Sequence, residues 1–174
     1  YARDPVQVAL ELLGTLLVHR TGETLRVWRI VETEAYLGPR DLAAHSARGL
    51  TARTRVLFGP PGHAYVYLIY GLHCCMNVVT GNRDGSAVLL RALAPVPGLN
   101  DRTSGRGRLC RTMGSDRPLN GIDLTTGELV LAPRPDDRPF RIVRTARVGV
   151  GYSGSWARRL LRFHIRANPF VSKP

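Results

Sequence analysis

ETLRVWRIVETEAY, residues 23–36, is the stretch on which the fold turns. From Thr24 onward it is rich in β-branched and aromatic residues and free of Gly and Pro, so it predicts one long strand. A strand alternates its side chains between two faces, which puts Glu32 and Glu34 on the same face with Cα atoms about 6–7 Å apart. Two carboxylates so placed repel, and at least one should be ion-paired or hold its proton more tightly than usual. The spacing leaves two readings open. The pair is solvated on an exposed face, or it divides into an acid and a water-activating base, as carboxyl pairs about 6.5–9.5 Å apart do in inverting glycoside hydrolysis.

Working outward, Asp4-Pro5 followed by VQVALELLGTLLV predicts a helix. Asp4 is its N-cap, Pro5 its first helical residue, Val8, Leu12 and Leu13 its apolar stripe, and Gly14 its end or kink. After the long strand, LGPRDLAAHSARG (37–49) reads as a loop with one helical turn, and Thr51–Phe58 as a short basic helix stopped by Gly59-Pro60-Pro61-Gly62. HAYVYLIYG (63–71) and CCMNVVT (74–80) predict a hairpin joined near Gly71-Leu72-His73, and SAVLLRAL (86–93) a strand buried on both faces. Residues 95–121 lack periodicity and predict a long surface loop, which inside a compact domain tends to be functional. ELVLAP (128–133), FRIVRTARVGV (140–150) and RFHIR (162–166) read as three further strands. The sum is an α+β fold: one domain over residues 1–174, with a curved, mainly antiparallel β-sheet flanked by a few helices.

The predicted hairpin carries Tyr65, Tyr67 and Tyr70. Period two places the first two on one face and Tyr70 on the other, close to the turn. Strand tyrosines commonly pack in cores. An aromatic face can also stack on a nucleobase while a tyrosine at the turn enters a duplex as a wedge. Three isolated polar residues stand near these elements: His45 in the loop after the glutamates, Asn77 after the tyrosines, and Arg91 amid AVLLRAL. An arginine among apolar residues requires a partner, and a carboxylate, one of the two glutamates, is the expected one.

The charge says more about partners than about fold. Twenty-five Lys+Arg against 13 Asp+Glu leave +12 on 174 residues, and the segment from Arg138 to Pro174, with eight Arg, one Lys and no acid, carries +9 of it. Self-repulsion of this size points to a polyanionic partner, nucleic acid or an anionic surface. Lys173 is the only lysine. The 44% hydrophobic and 22% charged content argues against disorder along the whole chain. No apolar run approaches the roughly 18–20 residues of a membrane span, and no signal-peptide pattern is present, so an intracellular protein that does not engage a membrane is expected. Three cysteines, with Cys74 and Cys75 adjacent, form neither a disulfide framework nor a zinc spacing, and no metal site is expected. The sequence has no P-loop, GxSxG or deaminase signature, and GVGYSG (149–154) lacks the third glycine and the ribose-binding acid of a dinucleotide fingerprint.

VETEAYLGPRDLAAHS (31–46), YVYLIYGLHCCMNV (65–78), VLLRAL (88–93), GRGRLC (105–110) and RVGVGYSGSWA (147–157) occur in an order that resembles the alkyladenine, or methylpurine, DNA glycosylase family. The resemblance extends to PFVS at 169–172. It implies hydrolysis of the N-glycosidic bond of alkylated or otherwise damaged purines in double-stranded DNA, with the base flipped out and an abasic site left, by a monomeric enzyme that needs no cofactor. It implies that Glu34 activates the attacking water with Arg91 beside it. Tyr36 and Tyr67 become the aromatic walls of the base pocket, with His45 on the opposite side and its backbone N–H on the base edge. Asn77 excludes the amine of normal guanine, and Tyr70 fills the gap in the duplex. Arg53, Arg106 and Arg108 are candidate contacts to the DNA backbone, Arg108 standing where many relatives carry lysine. The compartment implied is a bacterial cytoplasm with its nucleoid, or a nucleus. Without the resemblance, a non-catalytic basic module for distorted DNA or structured RNA, or an enzyme acting on RNA, fits the same composition.

Overall fold

A computed structural model describes residues 1–69, 73–96 and 119–173. The predicted loop at 95–121 therefore lies largely outside the described residues, as do Tyr70, Arg106 and Arg108. The first helix, α1 (Pro5–Leu12), begins where the cap was expected: the Asp4 carboxylate accepts from the amides of Val6 and Gln7 at 2.8 and 3.1 Å. Gly14 ends it at φ +83°, where a Cβ would lie 2.8 Å from Arg134 Cδ and Phe140 Cε1. The residues LLVHRT that follow are not a continuation of the helix but a strand, β1 (Leu16–Thr21). It folds back through the two-residue turn Gly22-Glu23 onto β2 (Thr24–Tyr36), the long strand of the sequence reading.

β2 is the axis of the molecule. β1 pairs along its first half and β8 (Arg162–Ile165) along its second, both antiparallel, while β5 (Ala87–Pro95) runs along its other edge. The hairpin of β3 (Ala64–Ile69) and β4 (His73–Val79) joins the sheet through β5, β6 (Leu129–Ala132) extends it beyond β1, and β7 (Ile142–Thr145) pairs with β8. Every pairing among these strands is antiparallel. α1 closes one face of the sheet, where Val8, Leu12 and Leu13 join Leu17, Ile30, Val31, Met76, Val88 and Phe163 in the main core. Thr33 points to that side and donates to the Ala9 carbonyl at 2.9 Å. Alternation sends Glu32 and Glu34 to the opposite face.

Two segments are less regular than their sequences suggest. The basic helix expected at Thr51–Phe58 shrinks to a 3-10 turn at Arg55–Phe58. Thr54 Oγ1 accepts from the Thr51 amide and donates to the Gly49 carbonyl, each at 2.8 Å, so side chains satisfy the backbone that a helix would have used. FRIVRTARVGV holds strand pairing only over Ile142–Thr145. Beyond it, Arg147 turns into the interior and the Val148 amide leaves the sheet for a carboxylate. A kinked 3-10 segment follows at Gly151–Arg158. Among the described residues no helix is long and apolar enough to cross a membrane.

Candidate functional site

Glu34 lies opposite Leu89 and Arg162 in the sheet, and its side chain has no solvent exposure. That removes the reading in which the glutamate pair is solvated: Glu32 is equally buried. What makes room for two buried carboxylates is a pair of irregularities in the β2–β5 ladder. Pairing steps from Ile30↔Leu93 to Glu32↔Ala92 to Thr33↔Leu90, skipping Val31 on one strand and Arg91 on the other. Arg91 thereby comes to the face of the glutamates, with Nε 3.2 Å from Glu32 Oε1 and 3.5 Å from Glu34 Oε1.

The two carboxylates are solvated by the protein in different ways. Glu32 Oε1 accepts from Arg162 Nε at 2.6 Å and Ser172 Oγ at 2.8 Å, and its Oε2 from the Ser172 amide at 2.6 Å. Glu34 accepts from the Tyr36 hydroxyl at 2.9 Å on Oε2 and from the Val148 amide at 2.9 Å on Oε1. Burial raises the Glu34 carboxyl above the ordinary glutamate range. Arg91, the Val148 amide and the Tyr36 hydroxyl oppose that shift, and the Glu32 charge adds to it. Burial, together with the Glu34 charge, pushes the Tyr36 hydroxyl well up, so it remains a donor at neutral pH.

Tyr36, Arg91 and Val148 line a cavity of about 580 Å³ on this side of the sheet. Tyr65 and Tyr67 enter it from β3, Cys75 and Asn77 from β4, His45 and Ser46 from the turn after the 37–44 loop, and Tyr152 from the far rim. Tyr65 and Tyr67 share a face, as their spacing predicts. His45 Nδ1 bonds the Tyr65 hydroxyl at 3.0 Å, and its ring lies against Tyr67 with centroids 4.4 Å apart. His45 and Tyr67 therefore form one continuous wall instead of facing each other. Burial, reinforced by Arg53 and Arg48, lowers the His45 pKa and favours the neutral imidazole. The ring of Tyr36 has the Arg147 guanidinium over it at 4.7 Å. Asn77 is buried and donates from Nδ2 to the Tyr65 carbonyl at 3.1 Å. Arg53 is exposed at the rim, 5.5 Å from the Tyr67 ring centroid.

Several contributors carry no local sequence signal. Arg147 and Arg162 belong to the arginine-rich C-terminal segment, yet both are buried. Arg147 forms a two-pronged pair with Asp41 at 2.5 and 2.9 Å and also donates to the Ala35 carbonyl at 2.9 Å. That pair clamps the loop leading to His45 against the segment carrying Val148. The Tyr152 hydroxyl bridges the same two segments by donating to the Ala43 carbonyl at 3.3 Å. Gly85 closes the pocket floor at φ +78°, where a Cβ would meet Phe58 Cε1 and Ser46 Cβ at 2.9 Å. Only the RVGVGYSGSWA block pointed to this region, and it did so without a role for any residue. Among the described residues, no group of three or more His, Cys, Asp or Glu side chains is arranged to hold a metal ion.

The family model "Methylpurine-DNA glycosylase (MPG)" matches residues 1–169. A protein of Legionella pneumophila (strain Paris) named "Putative 3-methyladenine DNA glycosylase" is 52% identical over 174 residues, covering 99% of this chain and 95% of its own length. Proteins with the same name from Myxococcus xanthus (strain DK1622) and Anaeromyxobacter sp. (strain Fw109-5) are 52% and 53% identical, covering 99% of this chain and 91% and 90% of theirs. With the family model matching nearly all of its length, and relatives of about 52% identity covering almost all of the chain, the chain belongs to the methylpurine-DNA glycosylase family and is a hydrolytic DNA glycosylase of DNA repair, acting on DNA.

Proposed function

We propose that the enzyme excises alkylated purines, 3-methyladenine among them, from double-stranded DNA by flipping the base into the aromatic cavity and attacking C1′ with water activated by ionised Glu34. The observation that carries this reading is the buried carboxylate of Glu34, held by Tyr36, Val148 and Arg91, all three of which line that cavity. A purine within a duplex is out of reach of any side chain, so the nucleotide leaves the stack and enters a pocket. Alkylation at N3 or N7 makes the purine cationic, and electron-rich tyrosine faces attract a cation more than its neutral parent. Tyr36 forms one wall and the His45–Tyr67 pair the other. The His45 amide is placed on the base edge and Asn77 against the exocyclic amine of normal guanine.

The cationic base is itself a good leaving group. What remains for the protein is to place water and to stabilise positive charge developing on the sugar, and an ionised Glu34 serves both needs. Arg91 keeps Glu34 ionised and faces the nucleotide backbone. Tyr70 fills the vacated stack, and Arg53, Arg106 and Arg108 contact phosphates. The enzyme works as an intracellular monomer without a cofactor. It has no strand-cleaving step, because that chemistry usually runs through an amine and Lys173 is the only lysine. The Lys173 carbonyl accepts from Arg162, and the residue is exposed.

The deciding experiment is release of free base from methylated duplex DNA by wild type and Glu34→Gln. Wild type releases base, and the variant binds lesion DNA within a few-fold of wild type but releases none. A binding module would bind equally in both forms and release nothing in either. Loss of lesion binding together with activity would assign Glu34 to structure.

A further inference from the structure

Arg91 is ion-paired with the Glu34 carboxylate, yet its Nε lies closer to Ser172 Oγ, at 3.0 Å, than to either glutamate. The Ser172 hydroxyl has a single proton, and Glu32 Oε1 at 2.8 Å takes it. Its lone pair is thus turned to Arg91. The Ser172 amide fixes the other oxygen of Glu32, and Arg162 Nε completes that carboxylate while its terminal nitrogen grips the Lys173 carbonyl. Without Arg162 and Ser172, Glu32 would be a bare buried anion 3.2 Å from Arg91 and would compete for that guanidinium with Glu34.

We propose that Ser172, with Glu32 and Arg162, is a positioning set that holds Arg91 between the two carboxylates and so keeps Glu34 ionised for reaction. This goes beyond the proposed mechanism while resting on its assignment of Glu34. Segment 171–173 is far from the other site residues in sequence and does not line the cavity. It acts through Arg91. The groups facing Glu34 are Glu32 and Tyr36 from its own strand, Arg91 from β5, Arg162 opposite it on β8, Tyr67 from β3 and Cys75 from β4. Arg91 and Arg162 are the cations of this set, and Arg147 lies over the Tyr36 ring from the segment that carries Val148; Arg162 is already bonded to Glu32 and Arg147 to Asp41. The ionisation of Glu34 therefore depends on where Arg91 rests.

The test is the pH dependence of single-turnover base release from methylated duplex, with lesion-DNA affinity and Tm measured on the same samples. Ser172→Ala removes the hydroxyl but keeps the amide bond to Glu32. Its rate at neutral pH should fall by about tenfold, as expected for a hydrogen bond to a charged group, with affinity within about twofold. The acidic limb should move to higher pH as Arg91 settles on Glu32. Glu32→Gln should move the limb the other way, because the competing charge is gone. If Glu32→Gln does not fold, Ser172→Ala decides alone. A lowered Tm with unchanged rate and unchanged limb in Ser172→Ala would make the segment a structural strap and overturn the inference. Glu34→Gln run alongside separates the two ideas: if it still releases base, the reaction assignment fails, whereas an inactive Glu34→Gln beside an unaltered Ser172→Ala sinks only the positioning role.

Discussion

Glu34 shows how one strand supplies two unlike carboxylates. Glu32 and Glu34 are two positions apart on one face, but four close donors converge on Glu32, whereas Glu34 has two, with Arg91 further off. Burial raises the pKa of Glu34 against the opposing pull of those donors. The sign of the pH effect follows. If Glu34 acts as a carboxylate, the rate of base release falls as pH drops through a value above the ordinary glutamate range, and a rate profile over mildly acidic pH reads that limb directly. Linkage makes a second statement. A carboxyl whose pKa is raised on folding adds stability below its unfolded pKa and loses it as pH rises through the folded one. The stability difference between wild type and Glu34→Gln should therefore shift toward wild type as pH is lowered, measurable by denaturant unfolding across pH.

The loop Leu37–Ala44 and the segment after β7 are the elements that complete the cavity, and one ion pair holds them together. Asp41 also accepts from the amides of Leu37 and Ala43 at 3.1 Å, so the carboxylate shapes its own loop while binding Arg147. Arg147 in turn lies over Tyr36 and donates to Ala35. Both partners are fully desolvated, and removing one strands the other charge. Asp41→Asn is expected to lose about 3–5 kcal/mol of stability by denaturant unfolding. It should also weaken lesion binding, since the walls carrying His45 and Val148 are no longer clamped. A change below about 1 kcal/mol would mean that the pair holds nothing together. The tyrosine hairpin belongs here too. Tyr70→Ala should reduce base release from duplex more than from single strands, which have no vacated stack to fill, and equal loss on both substrates would remove the wedge role.

The excess of +12 suits a polyanionic partner such as DNA, but it is not spread evenly over the surface. Arg147 and Arg162 are spent on buried carboxylates, leaving Arg138, Arg141, Arg144, Arg158, Arg159 and Arg166 exposed in the C-terminal segment. Binding to lesion duplex should weaken steeply and log-linearly with salt, because exposed arginines displace condensed counterions. A flat salt titration would exclude a surface that follows the phosphate backbone. Borohydride treatment during turnover should trap no protein–DNA adduct, since Lys173 is the only lysine and does not line the cavity. A covalent adduct would establish a strand-cleaving step.

What could be read without coordinates is what rests on local chemistry. The Asp4-Pro5 cap, the long β2, the hairpin with Tyr65 and Tyr67 on one face, and the need of Arg91 for a carboxylate all follow from periodicity and from the cost of an unpaired charge. Strand β1 was hidden because LLVHRT follows the helix stripe without a break in apolar character, and only its pairing with β2 shows it to be a strand. The division of labour between Glu32 and Glu34, the His45–Tyr67 wall, and the anchoring of Asp41 by Arg147 came from folding. Their partners lie 106 to 140 residues away for the Asp41, Glu34 and Glu32 contacts. With 24 arginines beside a single lysine, no spacing rule says which guanidinium will be drawn inside. That choice is made by packing, which desolvates a few carboxylates and leaves each to be matched by whichever donor the sheet brings within reach.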